Sequence, residues 1–539
     1  MAISSFNLSD LTGSNGFTIN GVAAFDTSGY SVSDAGDING DGIDDIVIGA
    51  PGYTRDNPDA TTTPGTSYVV FGSQAGFPAN FELSTLNGTN GFALNGVAAD
   101  DFAGFSVSGA GDVNGDGIDD LIIGANGADP NGLENAGSSY VLFGSTSGFA
   151  PTLNLATLNG INGFTINSIA AGDELGVSVS AAGDVNGDGI DDLIIGAFGA
   201  GPNGNAFAGT SYVVFGSSEA FPASFQPSGL DGTNGFAIKG IAEGDLSGFR
   251  VSSAGDFNGD GIDDLIISAP GADTVAGQSY IVFGSKEGFW ASINLSSLDG
   301  INGSVLNGVN PNDFSGVSVS GAGDINGDGV ADLIIGASYA DPNGNTNSGS
   351  SYVVFGTVPT LGTEGKDTLN GTFGDDALYG RGGNDEIFGG EGVNTLLGED
   401  GNDLIYGGSQ TDYINGGNGN DVIYVPGGNN TIYGGAGNDF IYSGSGDDLI
   451  LAGAGNDRIF LGGGKDIVVL QINKGVDRIN DFQVGQTTLG LSGGLTFENL
   501  AIAQMGNDTL IKFANTGEDL ARLNGVQASS IGSSSFVNV

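Results

Sequence analysis

The 539-residue chain contains no cysteine and no histidine, and only 12 lysines and arginines accompany 63 aspartates and glutamates. Without cysteine there is neither a disulfide framework nor thiolate chemistry. Without histidine the chain lacks the commonest zinc ligand and the commonest general base, and with them every Ser-His-Asp or Cys-His mechanism. We therefore do not expect a serine, cysteine or zinc hydrolase.

The net charge of −51 disfavours nucleic acids and anionic lipid surfaces as partners, because like charges repel. The same charge opposes compaction unless bound cations neutralise it. No apolar run approaches the roughly 18 residues of a membrane span, so no membrane insertion is expected. The opening residues, MAISSFNLSDLT, lack the basic and apolar regions of a Sec-type signal, and we expect no N-terminal signal peptide.

A nine-residue pattern, D-x-N-x-D-G-x-x-D, occurs five times, starting at Asp37, Asp112, Asp184, Asp256 and Asp324. It places carboxylate or amide oxygens at positions 1, 3, 5 and 9 and a backbone carbonyl at position 7. The glycine at position 6 permits the sharp turn, and hard oxygen ligands at irregular angles suit calcium. Position 12, a glutamate in an EF-hand, is isoleucine in every copy, so each loop is expected to run into a buried strand.

The predicted ligands recur at equivalent positions in all five loops, and position 8, which is Ala331 in the fifth loop, is not among them. They are Asp37, Asn39, Asp41, Ile43 and Asp45; Asp112, Asn114, Asp116, Ile118 and Asp120; Asp184, Asn186, Asp188, Ile190 and Asp192; Asp256, Asn258, Asp260, Ile262 and Asp264; and Asp324, Asn326, Asp328, Val330 and Asp332.

These loops mark five units, with spacings of 75, 72, 72 and 68 residues between their first aspartates. Each unit contains four short β-type segments separated by Gly, Asn and Pro clusters. Four antiparallel strands at a fixed period are typical of a β-propeller blade. We predict a five-bladed propeller over residues 1–357, in which the N-terminal strand, Phe17 to Val22, completes the last blade and removes its free edge.

The five units resemble the FG-GAP repeats of integrin α-subunit propellers. The resemblance rests on the Gly-aromatic pair, as in Gly104-Phe105, on the calcium loop, and on the Gly49-Ala50-Pro51 type of tripeptide that follows it. It departs at Val177 and Val317, which replace the aromatic residue, and in number, because integrin propellers have seven blades.

From Gly362 to Val469 the period changes to nine, and twelve nonapeptides follow in unbroken register with one apolar column at their eighth position. The pattern resembles the G-G-x-G-x-D-x-U-x repeat of RTX proteins. The resemblance implies a parallel β-roll of six turns, in which two repeats make one turn and the aspartates and carbonyls of the loops hold calcium. Residues 358–361 are expected to form a linker.

Successive repeats are expected to lie on opposite flanks of the roll, so odd and even repeats can be compared. The odd flank is regular, whereas the even flank has Asn394, Gln410 and Asn430 at degenerate positions. We expect calcium along the whole odd flank and weak or empty sites in the middle of the even one. The predicted ligands are Asp367, Asp385, Asp403, Asp421, Asp439 and Asp457 on the odd flank and Asp376, Asp412, Asp448 and Asp466 on the even flank.

Residues 470–539 alternate apolar and polar side chains between glycine-rich turns, which predicts a small C-terminal β cap. Similar tails of RTX proteins carry an uncleaved signal for a type I secretion apparatus, and the resemblance implies one here.

The predicted fold class is thus all-β: a propeller, a parallel β-roll and a cap. The predicted function is non-enzymatic, that of an extracellular calcium-binding structural or adhesive protein of a bacterial surface or matrix. Expected partners are calcium, the secretion apparatus and a cell-surface glycan, a protein or the chain itself. A lectin-like or protein-binding propeller is the alternative, and a glycosidase that uses only carboxylates is a remote one.

Overall fold

A computed structural model describes residues 7–52, 63–286, 288–298, 300, 302–357, 360–374 and 376–539. The chain divides into two compact units, residues 1–356 and 357–539, each of which is described by itself. Both are built from β-strands, as predicted.

The strands of the first unit follow the predicted segments closely, with one short additional strand before each of the later repeats. In chain order they are β1 (Thr18–Asn20), β2 (Ser31–Gly36), β3 (Asp45–Ala50), β4 (Thr66–Val70), β5 (Asn80–Glu82), β6 (Gly91–Asn95), β7 (Ser106–Gly111), β8 (Asp120–Ala125), β9 (Ser138–Leu142), β10 (Thr152–Asn154), β11 (Gly163–Asn167), β12 (Ser178–Gly183), β13 (Asp192–Ala197), β14 (Thr210–Val214), β15 (Ser224–Phe225), β16 (Gly235–Lys239), β17 (Val251–Gly255), β18 (Asp264–Ala269), β19 (Gln278–Val282), β20 (Ser292–Asn294), β21 (Gly303–Asn307), β22 (Ser315–Gly323), β23 (Asp332–Ala337) and β24 (Ser350–Val354).

Apart from β1 and β5, which pair with each other, these strands form five sheets, which we number as blades 1 to 5. In order from the innermost strand outward they are β2-β3-β4-β6-β10, β7-β8-β9-β11-β15, β12-β13-β14-β16-β20, β17-β18-β19-β21 and β22-β23-β24. The first long strand of each repeat is therefore the fourth strand of the preceding blade. The additional short strands, such as β10, pair in parallel with that fourth strand.

The prediction that the N-terminal strand completes the last blade is wrong. β1 pairs in parallel with β5. Blade 5 ends at β24 and has no fourth strand among the described residues. The innermost strands pack in succession from β2 to β22, but no comparable packing joins β22 to β2 in the described chain. The five blades therefore form an open arc. Phe17 stacks on Phe77, 4.1 Å between ring centroids, in the same way as Phe92 stacks on Phe149 in the next repeat.

The core of the arc lies between neighbouring blades. Each interface packs the apolar side chains of one blade's strands against those of the next, as Val47 and Val69 of blade 1 pack with Leu121 and Ile123 of blade 2. Four such interfaces position the loops that carry the D-x-N-x-D-G-x-x-D pattern at the turn between the first and second strands of every blade.

The strands of the second unit are short and regularly spaced. They are β25 (Thr360–Leu361), β26 (Thr368–Asn370), β27 (Ala377–Tyr379), β28 (Glu386–Phe388), β29 (Thr395–Leu397), β30 (Leu404–Tyr406), β31 (Tyr413–Asn418), β32 (Val422–Tyr424), β33 (Thr431–Ala436), β34 (Phe440–Tyr442), β35 (Leu449–Ala454), β36 (Arg458–Phe460), β37 (Ile467–Leu470), β38 (Asp477–Asn480), β39 (Thr488–Leu491), β40 (Leu500–Met505), β41 (Asp508–Phe513), β42 (Glu518–Leu523) and β43 (Phe536–Asn538).

Alternate strands join two parallel sheets, one from β25 to β37 and the other from β26 to β36, with each residue 18 positions from its partner. The apolar column of the nonapeptides is buried between the sheets, from Leu378 to Val468. This is the predicted parallel roll.

The roll is longer than the predicted 362–469. β25 begins inside the predicted linker and pairs with β27, while Val358 and Pro359 of that linker lie outside the described residues. At the other end β38 and β39 pair in parallel with β36 and β37. Ile479 and Leu489 continue the buried column there, although the nonapeptide sequence pattern has ended. The antiparallel strands β40, β41 and β42 then extend one sheet at the C-terminal end.

Helical structure in the described residues is confined to single turns, and no helix is long and apolar enough to cross a membrane. 3₁₀ turns span Leu8–Asp10, Leu83–Thr85, Leu155–Thr157, Pro227–Gly229, Leu295–Ser297, Phe497–Asn499, Ala528–Ser530 and Ser533–Ser535. Four further short turns contain residues with positive φ and are therefore not regular helix: Pro130–Gly132, Pro202–Gly204, Ala272–Val275 and Pro342–Gly344.

Candidate calcium sites

The loop of blade 2 shows how the first half of the predicted cage is arranged. The carboxylate of Asp112 accepts hydrogen bonds from the N–H groups of Asp116, at 2.9 Å, and Gly117, at 2.7 Å. The Asp116 carboxylate accepts one from Ile118 N–H at 3.0 Å. The same bonds recur in blade 3, from Asp188 and Gly189 to Asp184. The loop is thus a tight turn in which the carboxylates at positions 1 and 5 accept hydrogen bonds from backbone N–H groups of the same loop.

The aspartate at position 9 is buried and anchors the loop to the sheet. In blade 2, Asp120 accepts from Val113 N–H at 3.0 Å and from Gly144 N–H, beyond the third strand, at 2.8 Å. Burial raises the pKa of this carboxyl to about 8 in blade 2 and likewise to about 8 for Asp192 in blade 3. From the sequence, position 9 is expected only as a ligand. The hydrogen bond from Gly144 shows that Asp120 also fixes the loop to the end of the third strand.

Position 8, which is not a predicted ligand, joins neighbouring blades. Oδ2 of Asp119 accepts a hydrogen bond of 2.7 Å from the N–H of Asp37 in the loop of the preceding blade. Asp191 and Asp263 do the same for Asp112 and Asp184. The position-8 aspartate of one blade thus fixes the backbone of the first ligand residue in the loop of the preceding blade.

The donor set of these loops fits calcium in its chemistry, since every candidate atom is an oxygen. No group of three or more acidic side chains among the described residues is gathered closely enough to hold a metal ion by itself. Each loop offers carboxylates together with an asparagine oxygen and a carbonyl. One buried oxygen, Oδ1 of Asp256 in blade 4, has no hydrogen-bond partner.

The odd flank of the roll presents a column of half-satisfied carboxylates. After Asp367, which accepts from Thr363, one oxygen of each aspartate accepts the N–H of the aspartate one turn earlier. Asp421 does so for Asp403 and Asp439 for Asp421, both at 2.8 Å. The other oxygen is buried and has no hydrogen-bond partner in Asp385, Asp403, Asp421, Asp439 and Asp457. Burial raises the pKa of Asp421 and of Asp439 to about 7.

On the even flank, two asparagine side chains donate to the carboxylates. The side-chain NH₂ of Asn394 donates to Asp412 at 3.1 Å, and that of Asn430 donates to Asp448 at 2.9 Å. The second oxygen of Asp412 accepts from Gly408 N–H at 2.6 Å. On this flank only Asp448 keeps a buried oxygen without a partner among the described residues. Each asparagine amide donates to the same carboxylate oxygen that accepts the backbone N–H of that asparagine.

The odd column extends one residue further than the nonapeptides indicate. Asp457 N–H donates to Oδ1 of Asp477 at 3.3 Å, and burial raises the pKa of the Asp477 carboxyl. Asp477 is not among the ligands predicted from the sequence, because it follows Asp457 by 20 residues instead of 18. The signal that could have identified it is the segment V-D-R-I-N, in which Asp477 precedes the apolar Ile479 by two residues, as Asp457 precedes Ile459.

The two flanks lead to a matched pair of expected results. Asp421→Asn places an amide where the odd flank has an unpaired oxygen, so calcium per chain should fall by one or two ions. Asn430→Asp restores a carboxylate on the even flank and should add at least one ion. Equilibrium dialysis with atomic absorption on calcium-saturated protein measures both, and an unchanged ion count in both variants would contradict the assignment of the flanks.

Comparison with known proteins identifies the same two kinds of repeat. The FG-GAP repeat model matches residues 28–70, 103–142, 175–214, 248–282 and 315–354. The model of the RTX calcium-binding nonapeptide repeat (4 copies) matches residues 361–396, 388–423, 427–450 and 444–470.

Curated relatives cover only part of the chain. Phosphatidylinositol-glycan-specific phospholipase D from Bos taurus is 32% identical over 33% of this chain and 21% of its own length. Integrin alpha-5 from Xenopus laevis is 29% identical over 51% of this chain and 22% of its own length. The chain spans about a fifth of the length of these relatives.

Among solved structures, the extracellular lipase LipA from Serratia marcescens covers 36% of this chain and 41% of its own, at 18% identity and a TM-score of 0.20. The resemblances expected from the sequence are confirmed by the repeat matches, which also support calcium as the bound ion. The chain therefore contains five FG-GAP repeats followed by RTX calcium-binding nonapeptide repeats.

Proposed function

We propose that the protein is a secreted, non-enzymatic structural or adhesive component of a bacterial surface or extracellular matrix, and that calcium drives its folding. The observation that carries this proposal is the column of five buried carboxylate oxygens without hydrogen-bond partners on the odd flank of the roll. Leaving a buried charged group unpaired costs free energy, and a bound cation removes that cost.

The protein's own cations do not meet this need. Only three ion pairs occur in the described residues, Lys366–Glu386, Lys512–Asp519 and Arg522–Asp508, and none involves the odd column. With 12 basic residues against 63 acidic ones, the counter-charge has to come from solution. All donors are hard oxygens, which supports calcium over softer metals.

An extracellular setting follows from the strength of such sites. Extracellular calcium modules bind with dissociation constants of about 10⁻⁴ to 10⁻³ M, far above cytosolic calcium levels. In the cytosol the buried aspartates would then stay uncompensated and the roll would not close. A chain that folds only outside the cell suits a type I secretion apparatus, with the signal placed after Leu470.

The likeness of the FG-GAP part to integrin α-subunits supports a protein-binding role for the arc, and thus an adhesive function. Non-enzymatic action is supported by the missing histidine and by the use of nearly every acid cluster in the calcium loops. A role in catalysis would need a carboxylate pair outside those loops.

The test measures export and retention together. In cells that express the protein with a type I apparatus, deletion of residues 490–539 should keep it inside, while deletion of residues 2–10 should not. The exported chain should stay with the cell or matrix fraction in millimolar calcium and leave it after EDTA treatment. Protein that is free in the medium under both conditions overturns the adhesive role. Glycan-array binding that is lost in Trp290→Ala, at an exposed side chain, would favour the lectin-like alternative.

A further inference from the structure

The first three junctions between neighbouring blades of the arc share the same three hydrogen bonds, which we call the junction bonds. Between blades 1 and 2, Val107 N–H donates to Oγ of Ser31 at 3.0 Å, Asp37 N–H to the Asp119 carboxylate at 2.7 Å, and Ser145 N–H to the Ile38 carbonyl at 2.9 Å. All three recur at the next two junctions, carried by Ser106, Asp191 and Ser217 and then by Ser178, Asp263 and Ser285.

The junction between blades 4 and 5 lacks two of the side chains, because Arg250 replaces the serine and Ala331 the aspartate. The two free faces of the arc, by contrast, retain them. Ser318 on blade 5 corresponds to Ser31, and Asp44 on blade 1 corresponds to Asp119. Both side chains are exposed and make no hydrogen bond to another described residue. The residues of a complete junction are therefore divided between the two ends.

The apolar residues of the end faces are exposed where their counterparts are buried. Val32 on blade 1 is 67% exposed, whereas the equivalent Val107 is 5% exposed. Val353 on blade 5 is 46% exposed, whereas Val141 is fully buried. On blade 1 the exposed surface forms a groove of about 570 Å³ whose lining includes Phe17, Ile19 and Val32. Each end is shaped like one half of an interior blade interface.

The unpaired strands are complementary as well. Blade 5 has no fourth strand, and β1 has the sequence of one, since Asn15 to Asn20 reads NGFTIN where the fourth strand of blade 1 reads NGFALN. In blade 1 the fourth strand places Ala93 opposite Tyr68. By the same register β1 would place Thr18 opposite Tyr352. Within its own chain, β1 pairs in parallel with β5, in the same way as the fourth strand of blade 1, β6, pairs with β10.

We propose that two copies of this chain associate head to tail, so that blade 1 of one copy packs on blade 5 of the next and β1 becomes the fourth strand of that blade. The contact repeats the junction that the arc already uses within one chain. The two surfaces differ, so the association is heterologous and leads either to a closed ring of copies or to a longer array. The inference does not depend on the proposed adhesive function.

The absence of cysteine allows a direct test by cross-linking. Thr18→Cys and Tyr352→Cys are introduced in separate full-length chains that carry different tags, mixed in millimolar calcium, and treated with a short bismaleimide. A covalent dimer that contains both tags is expected. Thr152→Cys, at an exposed threonine in the outermost strand of the complete blade 1, replaces Thr18→Cys in the control and should give at least tenfold less mixed dimer.

A chain that carries both Thr18→Cys and Tyr352→Cys separates the two ways of joining the ends. A ladder of multimers supports head-to-tail association. A cross-linked monomer, together with no mixed dimer from the separate chains, shows that each chain closes its own ring and overturns the proposal.

Sedimentation provides a second measurement that does not need cysteine. The unmodified protein should be multimeric at tens of micromolar, and Val32→Asp should weaken association at least tenfold, because it places a charge in the contact. Ile161→Asp, at a side chain 88% exposed and far in sequence from both ends, should leave association unchanged. A monomeric unmodified protein, or equal behaviour of the two variants, overturns the proposal. Circular dichroism checks that both variants are folded.

Discussion

Removal of calcium with EDTA at neutral pH is expected to unfold the roll, residues 360–539, while the blades of the arc persist to higher temperature. At millimolar calcium each site with a dissociation constant near 10⁻⁴ to 10⁻³ M adds roughly 0.5 to 1.5 kcal/mol to the free energy of unfolding. Ten such sites would supply on the order of 10 kcal/mol, which equals the whole stability of a typical domain. The roll is the more sensitive part because five buried carboxylate oxygens on its odd flank have no hydrogen-bond partner, whereas the arc has a separate apolar cluster at each blade interface.

Scanning calorimetry and far-ultraviolet circular dichroism, with calcium and with excess EDTA, measure the effect. Two transitions should appear, and the one that belongs to the roll should be lost or should move down by more than about 20 °C. Magnesium at the same concentration is the control, since it is smaller, prefers octahedral geometry and should restore little. Melting curves that superimpose with and without chelator would show that the unpaired aspartates need no cation.

Acidification is expected to stabilise the calcium-free protein. Burial raises the pKa of Asp120 and Asp192 to about 8 and of Asp421 and Asp439 to about 7, against a value near 3.8 for the unfolded chain. Between these values the folded state binds more protons than the unfolded state, so stability falls as the pH rises. The contribution is complete below about pH 4 and is lost as the pH passes through 7 to 8. A tenfold difference in proton affinity between the folded and unfolded chain corresponds to about 1.4 kcal/mol of stability.

The expected result is a denaturation midpoint in EDTA that is higher at pH 5 than at pH 8, and the opposite order in millimolar calcium. The order reverses because calcium and protons compete for the same carboxylates, so that calcium binding strengthens as the carboxyls lose their protons. Urea titrations at the two pH values, each with and without calcium, provide the measurement. The double variant Asp421→Asn/Asp439→Asn should reduce the pH dependence in EDTA. A calcium-free protein that becomes more stable from pH 5 to pH 8 would contradict the assignment of buried, uncompensated aspartates.

Patterns that repeat along the chain could be predicted from the sequence. The nine-residue period with its apolar column indicated a parallel roll, and the column from Leu378 to Val468 is buried as expected. The contrast between Asp421 and Asn430 could be predicted from the sequence alone. Asp421 has an unpaired buried oxygen on the odd flank, and Asn430 donates from its amide on the even flank. Such features are local, because each residue meets an equivalent residue one turn away.

The roll continues beyond the last nonapeptide repeat wherever apolar side chains still fit the buried column. β38 and β39 extend the roll beyond Val469 because Ile479 and Leu489 fit the column, although their spacing differs from that of the repeats. The position-9 carboxylate of Asp120 could be expected in the loop, but its bond to Gly144 depends on how the third strand lies against it.

The sequence by itself determined the number of blades, the order of the strands within each blade, the roll and the residues that line its flanks. Only the tertiary structure decided that the arc stays open, that β1 pairs with β5, and that Asp119 joins one blade to the loop of the one before. The physical reason is that a blade's internal pairing depends on its own residues, whereas the meeting of the first and last blades depends on the angle between neighbours, summed over four interfaces. No single repeat encodes that sum.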